Sequence, residues 1–218
     1  MTNDSLTLIA ALLDRSGSME SCKKATETGF DELIAKQRSA PGQANVTLSM
    51  FDNEYDNVYT NVPIAEVGKL NLVPRNMTAM LDAIGRFITE IGEDLARRPE
   101  ANRPGTVICL IMTDGMENAS TEWTYEGIKA LITQQREQYN WQFIFLGANI
   151  DAVDVGGRLG VPSAMAMTYN ADDEDAVNAT YRQTAREILY RRSGGEMSFS
   201  DDDRQAAKGQ RPKKNQRR

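Results

Sequence analysis

The chain contains no histidine and only two cysteines among its 218 residues. Zinc and copper centres draw mainly on imidazole and thiolate, so either kind of site lacks its usual ligands here. The same absence removes the commonest general base for an activated serine or cysteine nucleophile. Cys22 and Cys109 are too few and too far apart for a disulfide framework and read as core thiols of a reducing compartment. Long hydrophobic runs are missing as well. No stretch of about 18 apolar residues occurs, so no transmembrane helix is expected. Nor do the first residues show the basic segment and apolar stretch of a secretory leader. A cytoplasmic location, away from any membrane, is the expectation that follows.

Phosphate-cradling glycine patterns are absent too. No G-x-G-x-x-G follows a strand, and no G-x-x-x-x-G-K-[ST] occurs. Gly156, Gly157 and Gly160 come after a helical segment and read as a helix end. Charge is unevenly placed: residues 201–218 hold seven basic and three acidic side chains, leaving residues 1–200 with 18 basic against 28 acidic. An acidic body is a poor nucleic-acid surface, so nucleic acid is expected to engage only the basic end, if any part. Residues 193–218 are therefore set apart as a polar, basic, disordered tail on a domain spanning 1–192. Such a tail suits phosphate or an acidic partner, and equally suits solubility or tethering.

Apolar residues make up 40% of the chain and recur with clear periods. Residues 6–13 form a near-continuous apolar run, the pattern of a strand buried on both faces. Strands are also expected at 46–51, 55–62, 106–112, 141–146 and 164–168. Helices are expected at 19–38, 78–97, 123–138, 151–159 and 173–192. Residues 55–62 show the polar alternation of an edge strand, joined to 46–51 by a hairpin. The alternation of strands and helices predicts a single α/β domain, a doubly wound, mostly parallel six-stranded sheet with helices on both faces and one antiparallel edge strand.

In such sheets ligands gather at the carboxyl ends of the strands, near the point where strand order reverses. Two acidic residues follow buried strands there, Asp14 and Asp114. Asp14-Arg15-Ser16-Gly17-Ser18-Met19 places an aspartate and two serines at alternate positions of one tight loop. Thr78 opens the second long helix, and Asp114 lies in Met112-Thr113-Asp114-Gly115. Hard divalent cations favour this all-oxygen set, with two carboxylates for charge and hydroxyls for geometry. Taken alone, the first loop reads equally as a helix cap, because Ser16 or Ser18 can accept from backbone N–H groups.

With Thr78 and Asp114 included, Asp14-x-Ser16-x-Ser18 resembles the metal-ion-dependent adhesion site of von Willebrand factor type A domains, also called integrin I-like domains. The resemblance is to the compact bacterial or phage intracellular kind and covers residues 4–192. It implies a Rossmann-like fold and a metal site of Asp14, Ser16, Ser18, Thr78 and Asp114. It implies Mg²⁺, with Mn²⁺ or Ca²⁺ as substitutes, and a protein partner that completes the metal with a glutamate or aspartate. It further implies work beside an AAA+ ATPase, a kinase or a phosphatase. On this reading the chain is a protein-binding module and not an enzyme.

Two other readings compete. One is a structural or assembly component whose metal site is vestigial. The other is a Mg²⁺-dependent phosphohydrolase of the haloacid dehalogenase type, which also has an aspartate after its first parallel strand. Those enzymes resemble D-x-D-x-[TV], and Ser16 stands where their acid/base aspartate belongs.

Around the loops, Asp52, Glu117 and Asn118 read as residues that orient waters or a loop, or that are simply solvated, rather than as direct ligands. Arg15 either meets a partner or holds a nearby carboxylate. Met19, Met77, Met80 and Met116 form an adaptable apolar collar if exposed, with core packing as the default. Trp123 and Tyr125 fall under the same default, and residues 147–151 read as a turn.

Overall fold

The computed structural model describes residues 2–209. Its six-stranded sheet runs in the order β3-β2-β1-β4-β5-β6, with β1 Asn3–Asp14, β2 Gln43–Phe51, β3 Tyr55–Pro63, β4 Pro104–Thr113, β5 Gln142–Ala148 and β6 Ala166–Tyr169. All pairs are parallel except β2 with β3. The expected hairpin and edge strand are thus present. From β1 the chain moves to β2 on one side and later to β4 on the other, which puts the reversal of strand order between β1 and β4. Register matches Asp14 with Phe51 and Leu13 with Met112. The ends of β1, β2 and β4 therefore come level at one rim.

The apolar run explains the centre of the sheet. Residues 7–14 of β1 are all buried, as a strand flanked by two others and covered on both faces requires. On one face α1 (Lys23–Arg38) packs against α5 (Glu174–Arg192); on the other α2 (Met80–Arg97), α3 (Tyr125–Tyr139) and α4 (Ala152–Leu159) lie side by side. The helical stripe Leu81, Ile84, Phe87, Ile88, Ile91 and Leu95 of α2 is buried throughout. Among the described residues no helix is long and apolar enough to cross a membrane. Cys22 and Cys109 are free and buried.

Two helix starts differ from expectation. α1 begins at Lys23, because residues Gly17–Glu20 form a tighter 3₁₀ turn, with Met19 N–H donating to Ser16 O at 3.0 Å. α2 begins at Met80 rather than at Thr78. The Thr78 and Ala79 N–H groups point away from a helix, to Asn118 Oδ1 at 3.0 Å and Asp52 O at 2.8 Å.

The largest correction concerns the segment expected to be a disordered tail. Residues 193–209 are ordered as a strap ending in α6 (Asp201–Ala207). Met197, Phe199 and Ala207 are buried. Ser200 and Asp203 cap α6 reciprocally, and Asp203 also accepts from Arg186 Nη2 at 2.7 Å. Phe199 N–H donates to Ala164 O at 3.0 Å and Asn170 N–H to Ala207 O at 2.9 Å. Arg204 donates to Ser163 O at 2.7 Å and to Ala166 O. The strap thus covers the entrance to the outermost strand, β6, a sheet edge that would otherwise offer unpaired backbone. The basic run from Arg211 to Arg218 lies outside the described residues.

Arg204→Ala is expected to cost about 1–3 kcal/mol, the range for losing charge-assisted hydrogen bonds. Amide exchange over residues 197–207 should accelerate more than exchange in β1 or β4. Equal acceleration everywhere, or none, would show that Arg204 does not fasten the strap.

Candidate metal centre

Three loops meet at the rim, and each is shaped by side chains that bind backbone. In the first, Arg15 N–H still donates to Phe51 O at 2.8 Å, continuing the sheet one residue past β1. Asp14 then turns the chain: its Oδ1 accepts from Ser16 N–H at 2.6 Å and its Oδ2 from the Thr113 hydroxyl at 2.6 Å. Both oxygens of this fully buried carboxylate are thereby engaged. Thr113, the last residue of β4, so ties the first loop to the third.

The second loop is laced to the first. Arg75 N–H donates to Arg15 O at 2.8 Å, and Gly17 N–H to Asn76 O at 3.2 Å. Asn76 adopts a left-handed φ of 61°, a conformation asparagine tolerates better than most residues. Beneath this lacing lies Asp52, which has no exposure. Its Oδ2 accepts from Arg15 Nε at 3.1 Å and Arg75 Nε at 2.7 Å, and its Oδ1 from Glu54 N–H at 2.6 Å. The outer ends of the two arginines reach Asp56 at 2.6 Å and Glu54 at 2.6 Å. Arg15 therefore holds neighbouring carboxylates, one of the two roles open to it from sequence.

The third loop docks on the start of α2. Asn118 and Thr78 exchange two bonds, Thr78 N–H to Asn118 Oδ1 at 3.0 Å and Asn118 N–H to Thr78 O at 3.1 Å. Glu117 accepts from Leu81 N–H at 2.9 Å, and Ser120 Oγ from Asp82 N–H at 3.1 Å. Asp82 returns the favour, accepting from the N–H groups of Thr121, Glu122 and Trp123 at 2.7–2.9 Å. The free N–H groups of a helix start are thus satisfied by a remote loop. Trp123 packs directly on Gly85 of α2, where a β-carbon would come within 2.3 Å of the indole.

On this frame the oxygens converge. Ser16 Oγ stands 3.1 Å from Ser18 Oγ; Ser18 Oγ donates to Asp114 Oδ1 at 2.7 Å, and Ser16 Oγ lies 3.4 Å from the same oxygen. Thr78 Oγ1 lies against Gly115 of the third loop, where an added β-carbon would sit 2.7 Å from it. The structure therefore brings Ser16, Ser18 and Asp114 into direct contact. It places Thr78 against the third loop, and turns Asp14 toward Ser16 N–H and Thr113.

The donor set fits a small hard cation. Neighbouring oxygens around six-coordinate Mg²⁺ with bonds of about 2.1 Å stand about 3 Å apart. The triangle of Ser16, Ser18 and Asp114 oxygens is close to one face of that octahedron. Its electrostatics also favour positive charge. Burial pushes the Asp14 carboxyl up to about 6, against the opposing bonds from Thr113 and Ser16, and nearby Asp114 adds to the rise. Burial raises Asp114 too, although its hydrogen bonds from Ser18 and Ser16 counter the rise. Among the described residues no group of three or more His, Cys, Asp or Glu side chains forms a site. A cation at this rim would have to draw on the hydroxyls as well as on the two carboxylates.

Other sequence expectations resolve here. Met19 and Met80 are core residues, whereas Met77 and Met116 are exposed. Trp123 and Tyr125 are half-buried, Tyr125 beneath the Arg158 guanidinium at 3.8 Å. In the 147–151 turn, Asn149 has φ 54° and Asp151 caps α4. Gly160 ends α4 with φ 90°. Thr113, Arg75, Asp82 and Ser120 were not singled out from sequence. Only the juxtaposition of Thr113 with Asp114 hinted at a role.

The sequence matches no family model and no curated protein. Solved structures share its fold. Proximal thread matrix protein 1 from the mussel byssus superposes with a TM-score of 0.60 at 11% identity, over 86% of this chain and 48% of that one. A von Willebrand factor type A protein from Catenulispora acidiphila gives 0.56 at 15% identity, over 86% and 43%. The pilus adhesin SpaC from Lactobacillus rhamnosus GG, in its open conformation, gives 0.58 at 14% identity, over 88% and 30%. The chain spans less than half the length of each. At these identities the likeness establishes the fold alone: this is a von Willebrand factor type A fold.

Proposed function

With that fold as premise, we propose that the chain is a non-catalytic protein-binding module whose rim holds Mg²⁺ and presents it to a carboxylate of a partner. The observation that carries the reading is the octahedron-sized triangle of Ser16, Ser18 and Asp114 oxygens, built on loops that Asp52, Thr113 and Asn118 hold in place. Asp14, Ser16, Ser18, Thr78 and Asp114 would hold the ion, which supplies a positive field for an outside acidic side chain. Mostly neutral ligands leave that field strong. The chain's own part is to bind and orient. Ser16 or Ser18 acting as a hydrolytic nucleophile would need an adjacent base, and the chain has no histidine and the first loop, 14–19, no lysine. A byssal matrix protein and a pilus adhesin carry the same fold, which supports a role in holding proteins together. The buried free thiols suit a cytoplasmic setting, where the partner would be an ATPase, kinase or phosphatase system.

Thermal unfolding with titrated Mg²⁺ tests the metal. At about a hundredfold excess over Kd, a ligand bound only by the native state adds about 2.7 kcal/mol, so the melting temperature should climb by several degrees. Asp114→Ala should melt at the same temperature with Mg²⁺ or EDTA. A wild-type protein equally indifferent to both would leave the assembly-component reading in its place.

A further inference from the structure

The methionines at the rim divide sharply. Met19 and Met80 are 0% and 1% exposed, whereas Met77 and Met116 are 57% and 76% exposed. Their backbones are braced. Asn76 O and the Thr78 N–H and O on either side of Met77 are hydrogen-bonded to the first and third loops. Gly115 N–H, just before Met116, donates to the Thr113 hydroxyl at 3.2 Å, and Asn118 beyond it is tied to Thr78. Loops this well fastened hold two large, flexible, apolar side chains in solvent. Val73, on the second loop, is 56% exposed as well. Three of the seven exposed large apolar side chains of the described residues thus stand on the second and third loops.

Nothing in the fold requires this exposure, which forfeits the gain from burying a methionine. The neighbouring charges narrow the choice of occupant. Arg15 is engaged by Asp52 and Asp56, and Arg75 by Asp52 and Glu54. The third loop, 114–123, contains no basic residue. Beyond the cation itself, these loops offer no unengaged arginine to a second carboxylate. Lys69 of the second loop lies instead along α1, with Asp31, Ala35 and Arg38. The exposed side chains that flank the ligand positions in the chain are apolar. Met77 is next to Thr78 in the chain and Met116 is two residues past Asp114, so each is within about two Cα steps of 3.8 Å from a ligand position.

We propose that Met77 and Met116 select the partner. On the reading of a metal-presenting module, from which this follows, the docking segment carries one carboxylate with a bulky aliphatic side chain within two residues of it. Polyacidic segments are disfavoured, since a second carboxylate would face methionine and the carboxylate of Asp114, with the charge of Asp14 buried beneath. Methionine suits the task because its unbranched thioether repacks against differing aliphatic shapes.

Selection of a random heptapeptide display library tests this, using immobilised wild-type protein and Met77→Gln/Met116→Gln in Mg²⁺, and wild type in EDTA. Circular dichroism and Mg²⁺ calorimetry should show that the double variant folds and binds the ion as wild type does. The wild-type Mg²⁺ pool is expected to be enriched in a single Asp or Glu with Leu, Ile, Met or Phe within two positions. The double variant should keep the acidic enrichment, lose the aliphatic one, and bind a selected wild-type peptide roughly tenfold more weakly or worse. Acidic enrichment without aliphatic neighbours, or aliphatic enrichment that survives in the double variant, would overturn the selection role and leave the metal-bridge reading standing. A pool without acidic enrichment, or one unchanged in EDTA, would overturn both.

Discussion

Asp14→Asn is expected to make the metal-free protein more stable at pH 7–8 while abolishing its response to Mg²⁺. The Asp14 carboxyl is fully buried and raised to about 6, with burial as the main cause. A carboxyl raised in the folded state holds its proton more tightly there than in the unfolded chain. The stability linked to it is therefore complete below the ordinary value of 3.8 and is lost as pH rises to about 6. Above that, ionised Asp14 strains the fold by about 2–3 kcal/mol, at roughly 1.4 kcal/mol for each pKa unit. An asparagine can still accept from Ser16 N–H through its oxygen, and its amide can donate to the Thr113 hydroxyl. It carries no charge to desolvate and none to offer a cation. Melting curves at pH 4, 6 and 8 in EDTA would check the sign: the variant's advantage should appear at pH 8 and shrink toward pH 4. A variant less stable than wild type at pH 8 would mean that the Asp14 bonds outweigh its burial. Stability and function pull in opposite directions at such a residue.

Asp52→Ala should produce the largest loss, about 3–5 kcal/mol, the cost of removing one partner from a buried ion pair. Asp52 is the buried carboxylate to which both Arg15 and Arg75 donate, and its second oxygen shapes the Glu54 turn; Asp56, which also lies near both arginines, is exposed. Arg15 Nη2 is already buried without a partner. Without Asp52 the Arg15 guanidinium would depend on exposed Asp56 alone. The lacing that carries Asn76 and Thr78 to the first loop would loosen with it. Denaturant unfolding gives the number, and Asp56→Ala is the control: it lies on the exposed side of the same arginine and should cost about 1 kcal/mol or less. Equal losses in the two variants would show that burial of Asp52 is not what matters.

Much of this was legible in the chain. The run 6–13 could only be a doubly covered strand, and the stripe from Leu81 to Leu95 could only be a helix with one buried face. Asp14, Ser16, Ser18, Thr78 and Asp114 stood out because each follows a strand or opens a helix, positions that the α/β topology sends to one rim. The fixings stood out only in part: Asp52, Glu117 and Asn118 were legible as residues that orient rather than ligate, but their partners were not. Asp82, Glu117 and Asn118 act through bonds to backbone groups up to 41 residues away and Asp52 through two arginines and the Glu54 N–H, and backbone donors leave no trace in residue type. The strap was hidden for another reason. Met197 and Phe199 are isolated among polar residues, too few to show a period, and their burial depends on a strand edge that composition does not reveal. Ser200-x-x-Asp203 was the one local sign, a capping box opening an acidic first turn, masked by the basic run beyond it.

The oxygens at the rim come from residues 14–18, 78 and 114, so about a hundred residues of chain separate the first from the last. The first loop's oxygens are neighbours in the chain, but they do not meet Asp114 or Thr78 until β1 and β4 lie side by side and the loop at 68–79 has crossed to Arg15. A chain still searching for its fold therefore has no place for the ion, because contacts this distant in sequence close late. On the proposed reading, an ion bound there would not guide the protein to its structure. It would act afterwards, as a bolt on a door already shut, lengthening the life of the finished domain and leaving the time needed to build it unchanged.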